Sequence, residues 1–119
     1  MKFTFSIITS NKSTDIDIVK TIDSIFENNI PSENYEIIVI GGDGEWYDYD
    51  KHGKNVRWIE VNEEDSKENW YVKKKNMVVE NSNFDNIVYS HDYFVYDSDW
   101  YDNFKEFGED WDLCMCVLV

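Results

Sequence analysis

The chain has 119 residues, of which 11 are Lys or Arg and 25 are Asp or Glu, giving a formal net charge of −14 at pH 7. This length predicts one domain, and the excess of negative charge repels nucleic acid and anionic lipid, which excludes both as expected partners. A nucleotide diphosphate would bind such a chain only beside a local cation, either a metal ion or a lysine.

The first part of the sequence predicts a strand followed by a helix. An apolar run over Phe3–Thr9 is typical of a strand. Ser13 or Thr14 is placed to cap the helix that follows, and this helix should end near Asn28–Asn29 because Pro31 cannot continue it. The apolar residues of the predicted helix recur at helical spacing: Ile18, Ile22, Ile25 and Phe26.

The middle of the sequence predicts two strands and a second helix. The second strand is predicted over Glu36–Ile40, and Gly41–Gly44 must turn because glycine allows the positive φ of tight turns. Residues 45–55 indicate a polar, aromatic loop, and a third strand is predicted over Val56–Val61. A capping pair at its start then predicts a helix over residues 65–81.

The last part predicts a strand over Asn86–Ser90, a short helix over Trp100–Phe107 and a final strand over Leu113–Val119. The final strand is a run of seven apolar residues, which predicts burial on both faces. An uncovered strand of this kind recruits another chain, so we expect a homodimer through it or a place inside the sheet. The order β-α-β-β-α-β predicts an α/β fold, a three-layer α/β/α sandwich with a mostly parallel sheet formed by residues 1–119.

The cysteines and the chain start indicate the cellular compartment. Cys114 and Cys116 lie two positions apart in the last predicted strand, where they are poorly placed to bond each other, so we expect reduced thiols. They either hold a metal ion or pack in the core, and core packing is favoured because the sequence has no second pair of cysteines. No apolar run is long enough for a transmembrane helix, and the first residues lack the features of a signal peptide. We therefore expect a cytoplasmic protein without a membrane span, from an AT-rich genome that favours Asn, Ile and Lys.

Polar, turn-forming residues follow three of the predicted strands. Thr9 and Ser10 end the first, Asp43 lies in the turn after the second, and His91 and Asp92 end the fourth. Because the carboxyl ends of parallel strands meet at one edge of a sheet, we expect a ligand site there. The structural alternatives are that the glycine turn is only a turn and that the histidine bonds a neighbouring backbone.

Lys73–Lys75 is the only basic cluster of the sequence. At helical spacing, Lys74 falls in the middle of an apolar arc, where a lysine either extends past the core into solvent or reaches a phosphate. Solvation is the favoured alternative.

Two further groups of residues have alternative interpretations. Trp46, Tyr47 and Tyr49 either stack on a sugar or base, or cover the edge of the sheet. Asp97 and Asp99 form a carboxylate pair two residues apart, but Asp99 is expected to cap the short helix that follows it.

Segments in this order resemble family 2 glycosyltransferases of the GT-A fold. They are Phe5–Thr9, Tyr35–Ile40, Lys74–Asn76 and Ile87–Tyr93, followed by Trp100–Tyr101 and Phe107–Asp112. The resemblance covers most of the chain but only the nucleotide-sugar-binding half of the family's domain, so the acceptor half has no counterpart here. It implies a protein that binds a nucleotide-diphosphate sugar and, if active, transfers the glycosyl group to an acceptor. The alternative is a non-catalytic, truncated relative that acts as a binding or assembly module.

The resemblance also implies donor-binding residues. The turn after the first strand would touch the nucleoside, the glycine turn would lie near the base, and a lysine-asparagine pair falls where the family often has Arg-Asn. The implied donor-binding residues are Thr9, Ser10, Asn11, Gly41, Gly42, Asp43, Lys75 and Asn76.

The segment from His91 to Tyr93 falls where the family has its DxD metal motif, which offers two carboxylates to Mg²⁺ or Mn²⁺ and to the donor diphosphate. Here only the middle position is Asp, so the implied metal ligands are His91 and Asp92, and histidine suits Mn²⁺ better than Mg²⁺. The resemblance names no catalytic base. Asp110 or Asp112 either serves as one or is a solvated or capping residue.

Overall fold

A parallel sheet lies at the centre of this computed structural model, which describes residues 1–9, 15–42, 44–52, 55–61 and 70–115. Its strands are β1 (Phe3–Ile8), β2 (Tyr35–Ile40), β3 (Val56–Ile59) and β4 (Asn86–His91). The helices are α1 (Asp15–Phe26), α2 (Tyr49–His52), α3 (Trp70–Asn81) and α4 (Trp100–Phe107), and a 3₁₀ turn (Ser32–Asn34) precedes β2. The strand order across the sheet is β3-β2-β1-β4.

The register of the strands brings their last residues into one row. Ile8 is paired with both Ile40 of β2 and His91 of β4, and Ile40 is paired with Ile59 of β3. Because every pair is parallel, the residues that follow the strands lie along one edge of the sheet, as predicted from the sequence. We call this end the carboxyl edge and the opposite end the amino edge.

One face of the sheet packs against α1 and α4. Phe3, Phe5 and Ile7 of β1 are buried on this face together with apolar residues of both helices. The rings of Phe3 and Phe5 meet the ring of Trp100 edge-on, at centroid distances of 5.5 Å and 5.3 Å. Aromatic residues therefore pack among the aliphatic residues of this layer, where each contributes a large buried area.

The other face of the sheet packs against α3. Ile38 and Ile40 of β2 form a small buried cluster with Val78 of α3 and with Val61. Alternate residues of β1 on this face are polar, and the Ser6 hydroxyl donates to the carbonyl of Val88 at 2.9 Å. Helices therefore cover both faces, and the predicted α/β/α layering with a mostly parallel sheet is confirmed.

The start of α4 is capped by a side chain from the turn that follows α1. Asp99 occupies the N-cap position, as predicted, but its side chain makes no capping hydrogen bond. Instead the backbone N–H of Tyr101 donates to Oδ1 of Asn28 at 2.9 Å, while Nδ2 of Asn28 donates to the carbonyl of Asp97 at 2.9 Å. Asn28 thus satisfies polar groups at the entry to α4 and fixes this helix against the end of α1.

Several element boundaries differ from the sequence predictions. The predicted loop over residues 45–55 contains the short helix α2. The third strand ends at Ile59, and Val61 instead forms an antiparallel bridge with Gly42. The caps predicted at Ser13, Thr14 and residues 65–68 lie outside the described residues. No helix in the described ranges is long and apolar enough to cross a membrane.

The predicted last strand is wrong over Leu113–Met115. These residues form no strand, and the side chains of Leu113 and Met115 are 86% and 90% exposed. The preceding segment packs on α4, where the ring of Trp111 lies 5.4 Å from that of Phe104. Residues 113–115 therefore do not join the sheet. The expectation that Cys114–Cys116 packs in the core is wrong for Met115, whereas Cys114 is half-buried. Residues 116–119, including Cys116, lie outside the described residues. The homodimer expected through this segment stays a prediction.

The aromatic loop covers the edge strand β3. The ring centroids of Trp46 and Tyr47 lie 5.3 Å and 5.9 Å from that of Trp58, and Tyr47 is buried. Gly44 has a φ of 69°, and a Cβ there would lie 2.3 Å from the Trp58 ring. Only glycine fits this approach, and the packing favours edge covering over sugar stacking for these aromatic residues.

Candidate functional site

A cleft of about 490 Å³ opens at the carboxyl edge, between the ends of β1 and β4 and the first turns of α3. Its lining residues come from those three elements: Ile8, Thr9, Tyr71, Lys75, His91, Asp92 and Tyr93. Of the donor-binding and metal-binding residues expected from the sequence, the cleft brings together Thr9, Lys75, His91 and Asp92. The carboxyl edge of a parallel sheet is the usual place for such a site.

The floor of the cleft is a hydrogen bond between the ends of two strands. Oγ1 of Thr9 donates to Oδ2 of Asp92 at 2.9 Å. The backbone N–H of Thr9 also donates to the carbonyl of Ile40 at 3.0 Å, which joins the end of β2 to the same point. Thr9 is buried, so its hydroxyl and its backbone N–H bond protein groups and not water.

Lys74 lies beneath this floor and is 1% exposed. Its Nζ donates to the backbone carbonyl of Thr9 at 2.6 Å. Burial lowers the pKa of Lys74, and the nearby charge of Asp92 acts in the opposite direction. The expectation that this lysine is solvated is therefore wrong, because its side chain enters the apolar arc and ends on a backbone oxygen.

Gly41 packs directly against Thr9. Its φ is 125°, and a Cβ at this position would lie 2.1 Å from the carbonyl oxygen of Thr9. Its own carbonyl accepts a hydrogen bond from Nε1 of Trp58 at 2.7 Å. This close approach of two backbones is what requires glycine. Gly41 and Gly42 do not line the cleft, and Asp43, like Ser10 and Asn11, lies outside the described residues.

Lys75 and Asn76 differ in their relation to the cleft. Lys75 lines it, with Nζ 5.7 Å from the centre of the Tyr89 ring, while Asn76 is exposed and does not line it. Tyr71 lies one helical turn before Lys75, so both side chains project from the same face of α3. Sequence reasoning missed Tyr71, although this i, i+4 spacing from a candidate lysine was available as a signal.

His91 belongs to an aromatic cluster at the mouth of the cleft. Its ring is stacked on Tyr93 at 5.5 Å with an interplanar angle of 4°. Tyr71 and Phe94 meet the same imidazole edge-on, at 5.7 Å and 5.8 Å. These rings present flat apolar surface together with phenol hydroxyls, a combination that suits the sugar or base of a nucleotide.

The cleft residues do not by themselves fit a site for a hard divalent cation. The described part of the chain contains no group of three or more His, Cys, Asp or Glu side chains placed to hold a metal ion. At the cleft the potential ligands are the imidazole of His91 and the carboxylate of Asp92, and one oxygen of this carboxylate accepts the Thr9 hydroxyl. Mg²⁺ requires a nearly octahedral shell of oxygens, so metal binding stays a prediction.

The two residues considered as a catalytic base lie away from the cleft. Asp110 and Asp112 follow α4, are exposed, and do not line the cleft. Their described surroundings are those of solvated surface carboxylates.

Comparison with known proteins bears on the fold. No protein-family model and no curated protein matches the sequence. Among solved structures, S. aureus TarS 1-349 is similar with a TM-score of 0.70 and 14% identity, over 90% of this chain and 32% of that chain. The structure of S. aureus TarS 1-349 in complex with UDP gives the same values. A structure of S. aureus TarS also has a TM-score of 0.70 and 14% identity, over 90% of this chain and 19% of that chain.

These similarities establish the class of fold. The chain has the α/β arrangement predicted from its sequence, and the S. aureus TarS structures share this fold. At 14% identity, what is shared is the fold. The chain spans 32% of S. aureus TarS 1-349, so it corresponds to about a third of that length.

Proposed function

We propose that this protein is a glycosyltransferase-like domain that binds a nucleotide-diphosphate sugar in the cleft at the carboxyl edge, with uridine as the expected nucleoside. The observation that carries the proposal is the cleft in which Thr9 and Asp92 are bonded to each other beside Lys75. The similarity to S. aureus TarS 1-349 in complex with UDP supports it.

The chemistry of the lining suits such a ligand. Lys75 supplies a positive charge for phosphate within a chain whose formal net charge is −14. The rings of Tyr71, His91 and Tyr93 supply stacking surface, and Asp92 supplies an acceptor for hydroxyl groups of a ribose or sugar. An anion, a flat ring and several hydroxyls are the parts of a nucleotide-diphosphate sugar.

Transfer of the glycosyl group is the proposed reaction when an acceptor is bound. The bond between the anomeric carbon and a diphosphate oxygen breaks, and a bond from that carbon to an acceptor oxygen forms. The electron pair of the broken bond leaves with the diphosphate, and the proton of the acceptor hydroxyl passes to water or to the departing diphosphate. A cation beside the phosphates stabilises the leaving group, which is the role proposed for Lys75.

A binding or assembly module without catalysis is the second candidate. The observation in its favour is that neither carboxylate considered as a catalytic base, Asp110 or Asp112, lines the cleft. Both candidates bind the nucleotide-diphosphate sugar, but only an enzyme releases the free nucleotide diphosphate. Incubation of a UDP-sugar with the protein, followed by measurement of released UDP, separates them.

Calorimetric titration tests the binding site. We expect UDP to bind the native protein and the Asp92→Asn variant to bind it about 10-fold more weakly, because the variant loses charge-assisted hydrogen bonds. The matched control is Asp85→Asn, the same change at an exposed position just before the other end of β4. Absence of binding by UDP and by GDP at millimolar concentration, with or without Mn²⁺, would refute the proposed site. Equal affinities of the two variants would remove Asp92 from it.

A further inference from the structure

The carboxylate at the centre of the altered DxD segment has protein partners on two sides. Asp92 accepts the hydroxyl of Thr9 at 2.9 Å. It also lies in the field of Lys74, whose buried amino group is bonded to the carbonyl of the same threonine. Lys74, Thr9 and Asp92 thus form one connected group under the cleft, which we call the Thr9 triad. The cation beside the Asp92 carboxylate is therefore a side chain of the protein itself.

A second lysine stands on the ligand side of the Thr9 triad. Lys75 follows Lys74 directly in α3, and consecutive helical residues point in directions about 100° apart. One lysine is therefore buried under the floor while the other is exposed and lines the cleft. Lys74 offsets the charge of Asp92, and Lys75 remains on the side of the cleft where phosphate oxygens would lie.

A divalent cation at a nucleotide-diphosphate site neutralises phosphate charge and is itself held by protein carboxylates. At this cleft the lining carboxylate is already engaged by Thr9 and lies beside a lysine. A metal ion bound there would have to compete with the ammonium of Lys74 for the same negative charge. The positive charge that such an ion would bring is already present on two adjacent lysines.

We infer that this cleft binds the diphosphate of its nucleotide without a divalent cation, with Lys75 as the phosphate contact and Lys74 holding Thr9 and Asp92 in position. The inference rests on the proposed function, since it concerns the same ligand at the same site. It assigns to side chains of α3 the role that the sequence resemblance assigns to a metal at His91 and Asp92.

The test is calorimetric titration of UDP into the native protein in EDTA, and again in millimolar Mn²⁺ or Mg²⁺. We expect the dissociation constants to agree within about 3-fold. The Lys75→Ala variant should bind UDP about 10-fold more weakly in EDTA, since a hydrogen bond to a charged group is lost. Its matched control is Lys73→Ala, which removes a lysine from an exposed position of the same helix that does not line the cleft. Thermal unfolding of both variants checks that each is folded, as expected for exposed positions.

The outcomes distinguish this inference from the proposed function. Binding that appears only with Mn²⁺ or Mg²⁺ would overturn metal-independent binding while the proposed function stands. Binding in EDTA that is equally strong in Lys75→Ala and Lys73→Ala would overturn the assignment of Lys75. Absence of UDP binding under every condition would refute the proposed function, and this inference with it.

Discussion

A buried ionisable residue lies near each edge of the sheet, on the face that packs against α3. The two residues differ in their hydrogen-bond partners and in their surroundings. At the amino edge, Glu36 of β2 accepts hydrogen bonds from the hydroxyl of Thr4 at 2.9 Å and from the backbone and side-chain N–H groups of Asn83 at 2.8 Å each. Arg57 of β3 adds an ion pair at 3.3 Å. At the carboxyl edge, Lys74 donates to the Thr9 carbonyl below an open cleft.

Both residues have a pKa below the ordinary value, but the shift favours the charged form of Glu36 and the neutral form of Lys74. Burial alone would raise the pKa of Glu36, but the hydrogen bonds from Asn83 and Thr4 and the charge of Arg57 outweigh it, so the pKa lies below its ordinary value. For Lys74, burial outweighs the charge of Asp92 and lowers the pKa. Glu36 is therefore better stabilised as an ion in the folded protein than in water, whereas Lys74 is not.

This contrast separates a structural site from a candidate functional one. The amino-edge network ties together three strands and the end of α3, since Arg57 also donates to the carbonyl of Asn81 at 2.6 Å. The fold stabilises the ionised form of Glu36, so this residue contributes to the stability of the protein. Burial disfavours the charged form of Lys74, which lies under a cleft. This lysine is therefore a candidate for a role in ligand binding, because perturbed ionisable groups concentrate at functional sites.

The largest effect is expected from breaking the amino-edge network. Glu36→Ala removes the acceptor of both Asn83 donors and the ion-pair partner of Arg57, and should lower the free energy of unfolding by about 3 kcal/mol. Urea unfolding measures this loss. The control is Glu80→Ala, an exposed position of α3, with an expected change below about 0.5 kcal/mol. Similar losses in the two variants would mean that the network does not stabilise the fold.

Replacing Lys74, near the carboxyl edge, should weaken UDP binding and leave the free energy of unfolding almost unchanged. Lys74→Met keeps the unbranched side chain up to the ε position and removes a buried cation, so the free energy of unfolding should change by less than about 1 kcal/mol. UDP should nevertheless bind about 10-fold more weakly, because Thr9 and Asp92 lose the group that positions them. Calorimetry and urea unfolding measure the two effects, with Lys73→Met as the exposed control.

The two readouts decide what Lys74 does. A loss of about 3 kcal/mol with unchanged UDP affinity would make Lys74 a structural clamp like Glu36. Unchanged stability together with unchanged affinity would remove Lys74 from both roles.

The sequence was sufficient for three of the four strands because their signals are local. Apolar runs bounded by glycine, proline and asparagine placed β1, β2 and β4 within one residue of their observed ends. Helix α2 was missed because Tyr49–His52 is too short for a helical period to be visible. The run that begins at Leu113 was misinterpreted because apolar composition predicts burial but does not supply a covering surface.

The site was only partly accessible to sequence reasoning. Parallel topology was enough to predict that Thr9, His91 and Asp92 would meet, since they follow neighbouring strands. The partner of Lys74 was not predictable, because Thr9 is 65 positions away in the chain and only the docking of α3 on β1 brings them together. For the same reason, the capping of α4 by Asn28, 73 positions from Tyr101, has no local signal.

The smallest expected effect is a pH dependence that belongs to the amino edge. Because the folded-state pKa of Glu36 is lowered, its ionised form stabilises the protein above the unfolded-state pKa, and this contribution is lost as the pH falls through the folded-state value. Glu36→Gln keeps the shape of the side chain but cannot ionise. The difference in unfolding free energy between the native protein and this variant should therefore shrink as the pH is lowered from about 6 to about 3, measured by urea unfolding. A difference that stays constant over this range would show that the network depends on the geometry of Glu36 and not on its charge.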